Sequence, residues 1–75
     1  MSTATLDAKG LACPMPIVKT KKALKDLAVG ETLGIEATDP GSLKDMEAFC
    51  KTTGHELVSS AEAGGVYVFE IKKSA

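Results

Sequence analysis

The sequence has little of several features that define large classes of proteins. Its 75 residues include no tryptophan, one tyrosine and two phenylalanines, too few for stacking on single-stranded bases. The formal net charge is −1, so the field of the molecule does not favour nucleic acid or an anionic membrane. No apolar run approaches the roughly 18 residues of a transmembrane helix, and the first ten residues lack the apolar segment of a signal peptide. We therefore expect a single cytoplasmic domain over residues 1–75, with no membrane partner and no direct nucleic-acid partner.

Cysteine and histidine are also scarce. The chain has two cysteines, Cys13 and Cys50, and one histidine, His55. These residues lie far apart in the sequence and do not match the ligand spacing of a zinc site. Two cysteines without an export signal are more typical of free thiols than of a disulfide framework, and the glycines form neither a P-loop nor a dinucleotide fingerprint. The sequence predicts no metal site and no cofactor.

Alternation of apolar and polar residues predicts four strands. Residues 4–8 alternate weakly, and residues 31–38 alternate cleanly. Two further strand patterns, at 55–62 and 66–72, are separated by residues 63–65, which include two glycines. A short glycine-bearing loop between two strand patterns predicts a β-hairpin.

Two segments between these strands have the period of an α-helix. Residues 14–28 carry Ile17, Leu24 and Ala28 as an apolar stripe, and Gly30 follows at a usual position for a helix stop.

The second helix is predicted to begin near Ser42 and to end at Gly54, with Asp39 and Pro40 leading into it. Ser42 with Asp45 resembles a capping box in which aspartate replaces glutamate. The apolar face of this helix comprises Leu43, Met46, Phe49 and Cys50.

The predicted order is therefore β-α-β-α-β-β. This order indicates an α/β fold of the α+β type, a two-layer sandwich in which two helices pack on one face of a four-stranded mixed sheet. The open face of the sheet is expected to be polar.

The stretch Cys-Pro-Met-Pro at residues 13–16 is the most informative in the chain. Cys13 lies where the first helix begins, and the unpaired amides and positive dipole of a helix N-terminus favour a thiolate. Pro14 and Pro16 have no N–H, so the amide of Met15 is the main donor close to the sulfur. Because proline suits a first helical turn and restricts the residue before it, the two prolines are expected to support a rigid corner that presents the thiol. Two interpretations stay open: Cys13 caps the helix, or it lies on a loop before a helix that starts at Pro16.

This thiol has no cysteine neighbour. A dithiol redox motif would carry its second cysteine at the position of Pro16. A lone, presented thiol suits the acceptance of a group from one protein and its transfer to another. The alternative is that Cys13 is a small buried hydrophobe, as many free cysteines are. The two prolines at the predicted helix start favour the functional interpretation.

The first helix also has a basic face. Helical geometry puts four lysines away from the apolar stripe and puts Met15 near the middle of the basic arc. An exposed apolar residue within a basic face beside a reactive atom could dock an acidic partner. A merely solvated helix face is the competing interpretation. The four lysines are Lys19, Lys21, Lys22 and Lys25.

The remaining cysteine and the histidine carry weaker signals. Cys50 lies on the apolar face of the second helix and is predicted to be a core residue. His55 follows the helix stop, and a role as a base for Cys13 is conceivable but is not favoured by any second histidine or nearby motif.

Taken together, these segments resemble the TusA/SirA-like family of small sulfur-carrier proteins. The resemblance runs almost end to end. Its specific part is the Cys-Pro-x-Pro element at residues 13–16, and the Asp-Pro and Gly-His pairs support it. The matching stretches are LDAKGLACPMP, TKKALKDLAVGETLGIEATDP, SLKDMEAFCKTTGHEL and GGVYVFEIKK.

The resemblance implies the same β-α-β-α-β-β sandwich and a cysteine that carries sulfur as a persulfide, which falls on Cys13. In the family, this thiol receives sulfane sulfur from a donor protein, such as a cysteine desulfurase or a rhodanese. It then passes the sulfur to an acceptor cysteine on another protein. Family members serve tRNA thiolation, molybdenum-cofactor sulfur supply or dissimilatory sulfur oxidation.

A hypothesis from another class is a non-catalytic, regulatory protein-binding module whose Cys-Pro-x-Pro corner is recognised for its shape. It predicts that partner binding survives Cys13→Ser. Nucleic-acid binding through the lysine face is a third hypothesis, disfavoured by the net charge and the scarcity of aromatic residues.

Overall fold

A computed structural model describes residues 4–12 and 15–74. The order of elements along the chain is the predicted one, β-α-β-α-β-β. The strands are β1 (Ala4–Ala8), β2 (Thr32–Ala37), β3 (Glu56–Ala63) and β4 (Val66–Lys72). The helices are α1 (Met15–Lys25) and α2 (Ser42–Thr53). Each strand agrees with its predicted range to within one residue at either end.

The four strands form one mixed sheet in the order β1-β2-β4-β3. β1 pairs parallel to β2, and β4 pairs antiparallel to both β2 and β3. Since β1, β2 and β3 all point the same way, α1 and α2 must both run back against them. The N-termini of the two helices therefore lie at one end of the sandwich, above the carboxyl ends of β1 and β2.

The hydrophobic core lies between the helices and one face of the sheet. The alternation in β2 places Leu33, Ile35 and Ala37 in it, at most 1% exposed. Phe69 and Ile71 of β4 are fully buried on the same face. The helices and β1 supply the rest of this cluster, namely Ala8, Leu24, Met46, Phe49 and Cys50.

The hairpin between β3 and β4 is tighter than predicted, since Ala63 is the last residue of β3 and the loop is Gly64-Gly65 alone. Both glycines have positive φ, 59° and 84°. Two consecutive left-handed residues are the requirement of the type I′ hairpin turn, whose twist matches that of the flanking strands.

The apolar stripe of α1 differs from the prediction. Its buried residues are Pro16, Thr20 and Leu24, whereas Ile17 is half-buried and Ala28 is exposed and lies beyond the helix. The stripe is displaced because α1 contacts both α2 and the sheet, and that position is not encoded in the helix's own periodicity.

The predicted end of α1 is also wrong by three residues, since the helix stops at Lys25. The amide of Leu27 donates to the carbonyl oxygen of Leu24 at 3.1 Å, which is the tighter spacing common in a last turn. The chain then turns, and the amide of Ala28 donates to Oε1 of Glu31 at 2.7 Å.

The capping box predicted for α2 does not form. The N-cap is Gly41, without a side-chain capping hydrogen bond. The Ser42 side chain is fully buried, and its hydroxyl has no hydrogen-bond partner among residues 4–12 and 15–74. Asp39 instead organises the turn, because its Oδ1 accepts from the Gly41 amide at 3.3 Å and its carbonyl oxygen accepts from the Ser42 amide at 3.0 Å.

Of the predicted apolar face of α2, Met46, Phe49 and Cys50 are buried, but Leu43 is 37% exposed. The helix ends as predicted at Gly54, whose φ of 85° is left-handed. Neither helix in the described part of the chain is long and apolar enough to cross a membrane.

Candidate functional site

The loop that follows β1 is shaped by short-range hydrogen bonds. The amide of Lys9 donates to Oδ1 of Asp7 at 3.0 Å, and the amide of Leu11 donates to the carbonyl oxygen of Ala8 at 3.3 Å. Gly10 has a left-handed φ of 81°, which glycine adopts without steric cost. Leu11 then packs against the core. The chain therefore leaves β1 through a defined turn, and the Leu11 side chain is packed against the core two residues before position 13.

The same loop is tied to the end of β2. The amide of Gly10 donates to Oγ1 of Thr38 at 2.9 Å, and Nζ of Lys9 lies 3.5 Å from Oε1 of Glu36. Thr38 directly follows β2 and precedes Asp39, which organises the turn into α2. The two loops at this end of the sandwich are thus joined by a hydrogen bond that sequence reasoning did not find, since its partners are 28 residues apart.

Cys13 and Pro14 lie outside the described residues, so the two interpretations of Cys13 as cap or loop residue stay predictions. The residues on both sides of them are described. The amide of Met15 donates to the carbonyl oxygen of Ala12 at 2.9 Å, and Met15 is the first residue of α1. The Met15 amide, which the sequence analysis identified as the main donor close to the sulfur, is therefore engaged in a backbone hydrogen bond.

Pro16 fastens the start of α1 to the core. Its side chain is among the fully buried ones, and its carbonyl oxygen accepts a 2.7 Å hydrogen bond from the hydroxyl of the fully buried Thr20. The same hydroxyl lies 3.9 Å from Sδ of Met46 on α2. Pro16 thus serves as a packing residue as well as a conformational restraint. The first turn of α1 is therefore fixed by contacts with the core.

The basic face of α1 is exposed. Met15 is 42% exposed, and all four predicted lysines are exposed. None of these lysines forms a salt bridge within residues 4–12 and 15–74. Val18, one turn after Met15, is 50% exposed, so the face has a second apolar residue that the sequence analysis did not single out. Its i, i+3 spacing from Met15 was the available signal.

A shallow, mostly apolar groove runs beside this face, between α1 and α2. Its lining includes Ile17 and Val18 from α1 and Ala48 and Phe49 from α2. Charged and polar groups border it, namely Lys21, Asp45, Thr52 and Thr53.

Cys50 is a core residue, as predicted. It is 6% exposed, and burial raises the pKa of its thiol above the ordinary value. A buried, protonated thiol is a poor nucleophile. No group of three or more His, Cys, Asp or Glu side chains suited to a metal ion occurs among the described residues.

His55 is placed where it supports the structure. Its Nδ1 accepts a hydrogen bond from the Ser74 amide at 3.1 Å, and its ring centroid lies 6.0 Å from that of Phe49. It lines a depression with Lys25 at the far end of α1. That end is ten residues, or about 15 Å of helix, from Met15. The described geometry gives the conceivable role of a base for Cys13 no support.

Comparison with protein-family models shows the family of this chain. The model described as Sulfurtransferase TusA matches residues 4–73 of the chain. The chain belongs to the TusA family. This confirms the resemblance drawn from the Cys-Pro-x-Pro element and the segments around it.

Individual TusA-family relatives match over nearly the whole chain. The sulfur carrier protein TusA of Allochromatium vinosum is 55% identical over 69 residues, which are 92% of this chain and 91% of that protein. The sulfur carrier protein TusA of Pseudomonas entomophila is 44% identical over 96% of this chain and 90% of its own length. YrkF of Bacillus subtilis is 56% identical over 96% of this chain, which spans only 39% of YrkF.

A solved structure shares the fold of this TusA-family chain. The crystal structure of a SirA-like protein from Desulfitobacterium hafniense matches with a TM-score of 0.84, covering 97% of this chain and 100% of that one. The two sequences are 24% identical. This likeness confirms the predicted two-layer sandwich of two helices on a four-stranded mixed sheet.

Proposed function

We propose that this chain is a sulfur carrier in which Cys13 accepts sulfane sulfur as a persulfide and transfers it to a cysteine of a partner protein. The observation that carries the proposal is membership of the TusA family over residues 4–73, together with relatives named as sulfur carrier proteins. Cys13 is the chain's candidate because the other cysteine, Cys50, is buried in the core.

The proposed reaction consists of two displacements at sulfur. The Cys13 thiolate attacks the outer sulfur of a persulfide on a donor, a cysteine desulfurase or a rhodanese, and the donor's cysteine leaves as a thiolate. An acceptor's cysteine thiolate then attacks the outer sulfur on Cys13, and the Cys13 thiolate leaves. Each step makes one S–S bond and breaks another, so no external oxidant, reductant or cofactor is required.

The surroundings of position 13 suit a carrier better than a dithiol oxidoreductase. A second thiol nearby could attack the inner sulfur of the persulfide, expel hydrosulfide and leave a disulfide. The local position where such a thiol would stand is the buried Pro16, and Cys50 is protonated and enclosed by the core. The carried sulfur would therefore persist until an acceptor arrives.

Stabilisation of the Cys13 thiolate is expected to come from longer-range electrostatics. The Met15 amide is already bonded to Ala12, and proline offers no N–H. The two remaining sources of stabilisation for the thiolate are the positive end of the α1 dipole and the positive charge of the lysines along that helix. This arrangement favours a moderately activated thiolate that both gains and releases sulfur.

The exposed face of α1 is the proposed docking surface for both partners. Met15 supplies an apolar contact close to position 13, and the four lysines supply positive charge without salt-bridge partners among the described residues. Charge of one sign on a surface speeds and orients association with a partner of opposite sign. We therefore propose acidic surfaces around the donor and acceptor cysteines.

Three kinds of sulfur pathway fit this chemistry. tRNA thiolation, molybdenum-cofactor sulfur supply and dissimilatory sulfur oxidation all require the same cytoplasmic thiol chemistry. The partner surfaces decide among them, and sulfur transfer from the loaded chain to purified acceptors of each pathway would identify which one is served.

The deciding experiment is intact-protein mass spectrometry after incubation with polysulfide or with a rhodanese and thiosulfate. Wild type, Cys13→Ser and Cys50→Ser are compared before and after addition of a reductant. The proposal predicts a reducible gain of one sulfur atom that requires Cys13 and does not require Cys50. Equal loading of the Cys13→Ser variant, or no loading of wild type by any donor, would contradict it. Partner binding that survives Cys13→Ser in the absence of loading would favour the regulatory binding module instead.

A further inference from the structure

We propose that Thr38 is a positioning residue for the reactive thiol, acting through the loop that leads from β1 to Cys13. The inference rests on the proposed function for its meaning, but its structural basis is independent. Thr38 Oγ1 accepts a 2.9 Å hydrogen bond from the amide of Gly10. This bond joins the loop before position 13 to the end of β2.

The bond acts at the place where the loop has most freedom. Gly10 is left-handed, with φ of 81°, and glycine is the residue with the greatest conformational freedom to lose on ordering. A Cβ placed on Gly10 would meet nothing within 4 Å, so side-chain packing does not confine this residue. The hydroxyl of Thr38 therefore supplies a restraint that packing at Gly10 does not.

The Thr38–Gly10 bond acts on the N-terminal side of position 13, and different contacts hold the chain on the C-terminal side. After position 14, the chain is fixed by the buried Pro16 and by its hydrogen bond from Thr20. Before position 13, the loop is held by the half-buried Leu11, by the short-range hydrogen bonds of the Lys9 and Leu11 amides and by the Thr38–Gly10 bond. Of these three hydrogen bonds, the Thr38–Gly10 bond is the one that joins the loop to the end of β2. The ion pair of Lys9 with Glu36 also lies there, but it is exposed and spans 3.5 Å, and exposed pairs of this kind are weak.

Thr38 is exposed and lies outside the core, so its hydroxyl is not needed to complete the packing of the sheet. Loss of the hydroxyl should loosen the loop without unfolding the domain. Cys13 is two residues before Met15, the first residue of α1, so a looser loop should weaken the effect of the positive end of the helix, which favours a thiolate. It would also let the thiol leave the approach line that a protein donor requires.

The test compares Thr38→Val, which removes the hydroxyl and keeps the shape, with Thr38→Ser, which keeps the hydroxyl. Thr5→Val is the matched control, because Thr5 is an exposed threonine on the outer face of the same sheet. Two readouts need no sulfur transfer. They are hydrogen exchange of the Gly10 and Leu11 amides, and the pH profile of Cys13 alkylation by iodoacetamide, read on the Cys13 peptide.

We expect Thr38→Val to speed exchange of the Gly10 amide about tenfold, as loss of one protecting hydrogen bond implies. The alkylation profile should shift towards higher pH. Near neutral pH, the alkylation rate of Thr38→Val should be up to about threefold lower than that of wild type. Thr38→Ser should restore both, and Thr5→Val should alter neither. Transfer from a persulfidated rhodanese should slow several-fold in Thr38→Val, while the melting temperature stays close to that of wild type.

The proposal is overturned if Thr38→Val matches wild type in exchange and alkylation, or if Thr38→Ser behaves like Thr38→Val. These outcomes are distinct from failure of the proposed function. If wild type takes up no sulfur, the carrier role is wrong, yet exchange and alkylation still report whether Thr38 holds the loop.

Discussion

The hydroxyl of Thr20 donates a 2.7 Å hydrogen bond to the carbonyl oxygen of Pro16, one helical turn earlier, and both side chains are fully buried. A polar residue in the middle of a lysine-rich helix thus forms part of the core. Its hydroxyl bonds within its own helix, which satisfies a group that would be costly to bury unpaired. The helix that starts beside Cys13 is held at its first turn by this pair and by Met46.

Thr20→Val tests how much of the contribution of Thr20 to the free energy of unfolding comes from its side-chain hydrogen bond. The Pro16 carbonyl keeps the backbone amide of residue 20 as its intrahelical partner, so no acceptor is left unpaired. We expect the free energy of unfolding to change by about 1 kcal/mol or less. Thr20→Ala also removes the methyl group, and the resulting gap beside Met46 should cost about 1–2 kcal/mol. Urea denaturation of both variants measures the difference, and a larger loss in Thr20→Val than in Thr20→Ala would contradict this assignment.

A pair of glycines at the two ends of α2 offers a second test. Gly54 has φ of 85°, and a Cβ added there would meet nothing within 4 Å, so Gly54→Ala should cost about 1 kcal/mol through backbone conformation alone. Gly41 has φ of −79°, and a Cβ there would lie 3.7 Å from Oδ2 of Asp39, an ordinary contact. Gly41→Ala should therefore change stability by less than about 0.5 kcal/mol, since lower entropy of the unfolded chain offsets the loss of a preferred N-cap residue.

Thermal or urea unfolding of the two alanine variants gives the comparison directly. Equal destabilisation by Gly54→Ala and Gly41→Ala would mean that the left-handed conformation of Gly54 is not what the helix end requires.

The strands and the helix stop at Gly54 could be predicted because their signals are local. In β2, a period of two decides which face is buried, and Leu33, Ile35 and Ala37 have no alternative burial that preserves the pairing. Gly54 ends α2 because a left-handed residue is required there and glycine adopts it most easily.

The errors share one physical origin, which is tertiary contact. The buried stripe of α1 includes Thr20 and excludes Ala28 because α2 and the sheet determine which side of the helix is enclosed. Ser42 has the composition of a capping residue, but its side chain is enclosed by the core, and Asp39 organises the turn instead. At the candidate site, the Cys-Pro-Met-Pro element and its place at a predicted helix start pointed to Cys13, and both are local signals. The Thr38–Gly10 bond could not be found in this way, since nothing in either local sequence indicates that the two loops meet.

The buried thiol of Cys50 leads to a prediction on reactivity. Because the side chain is 6% exposed and burial raises its pKa, iodoacetamide should modify it at least about tenfold more slowly than Cys13 in the native protein. Unfolding in urea should remove the difference. Peptide mass spectrometry after timed alkylation measures both rates, and fast native labelling of Cys50 would show that the second half of α2 opens readily.

The same thiol should make stability depend on alkaline pH. In the unfolded chain a cysteine ionises near pH 8.5, whereas burial raises the pKa of Cys50 in the folded state, which therefore holds this proton to higher pH. Above about pH 8.5 the unfolded state therefore holds fewer protons than the folded state, and stability falls as pH rises. In a Cys13→Ser background, Cys50→Ala should remove this contribution. The stability advantage of the Cys50 protein over the alanine variant should shrink between about pH 8 and 10, and a constant difference would contradict the sign of the shift.

The last prediction concerns the docking surface. Lys21 and Lys22 are exposed on α1 without salt bridges in the described part of the chain, so Lys21→Glu/Lys22→Glu should fold normally. If this face meets acidic partner surfaces, sulfur transfer from a persulfidated protein donor should slow by about tenfold or more at low salt. The difference from wild type should narrow as salt rises, because screening weakens both the attraction in wild type and the repulsion in the variant.

Two controls separate docking from chemistry. Loading by polysulfide needs no protein contact, so it should differ from wild type by less than about twofold if the lysines act mainly through association. Lys72→Glu makes the same kind of substitution on an exposed residue of β4, away from α1, with half the change in net charge of the double variant, and it should leave transfer from the protein donor nearly unchanged. If Lys72→Glu slowed transfer equally, the slowing would be an effect of net charge and not of the α1 face. Unchanged transfer in Lys21→Glu/Lys22→Glu would mean that partners reach Cys13 by another surface, with the apolar groove between α1 and α2 as the next one to alter.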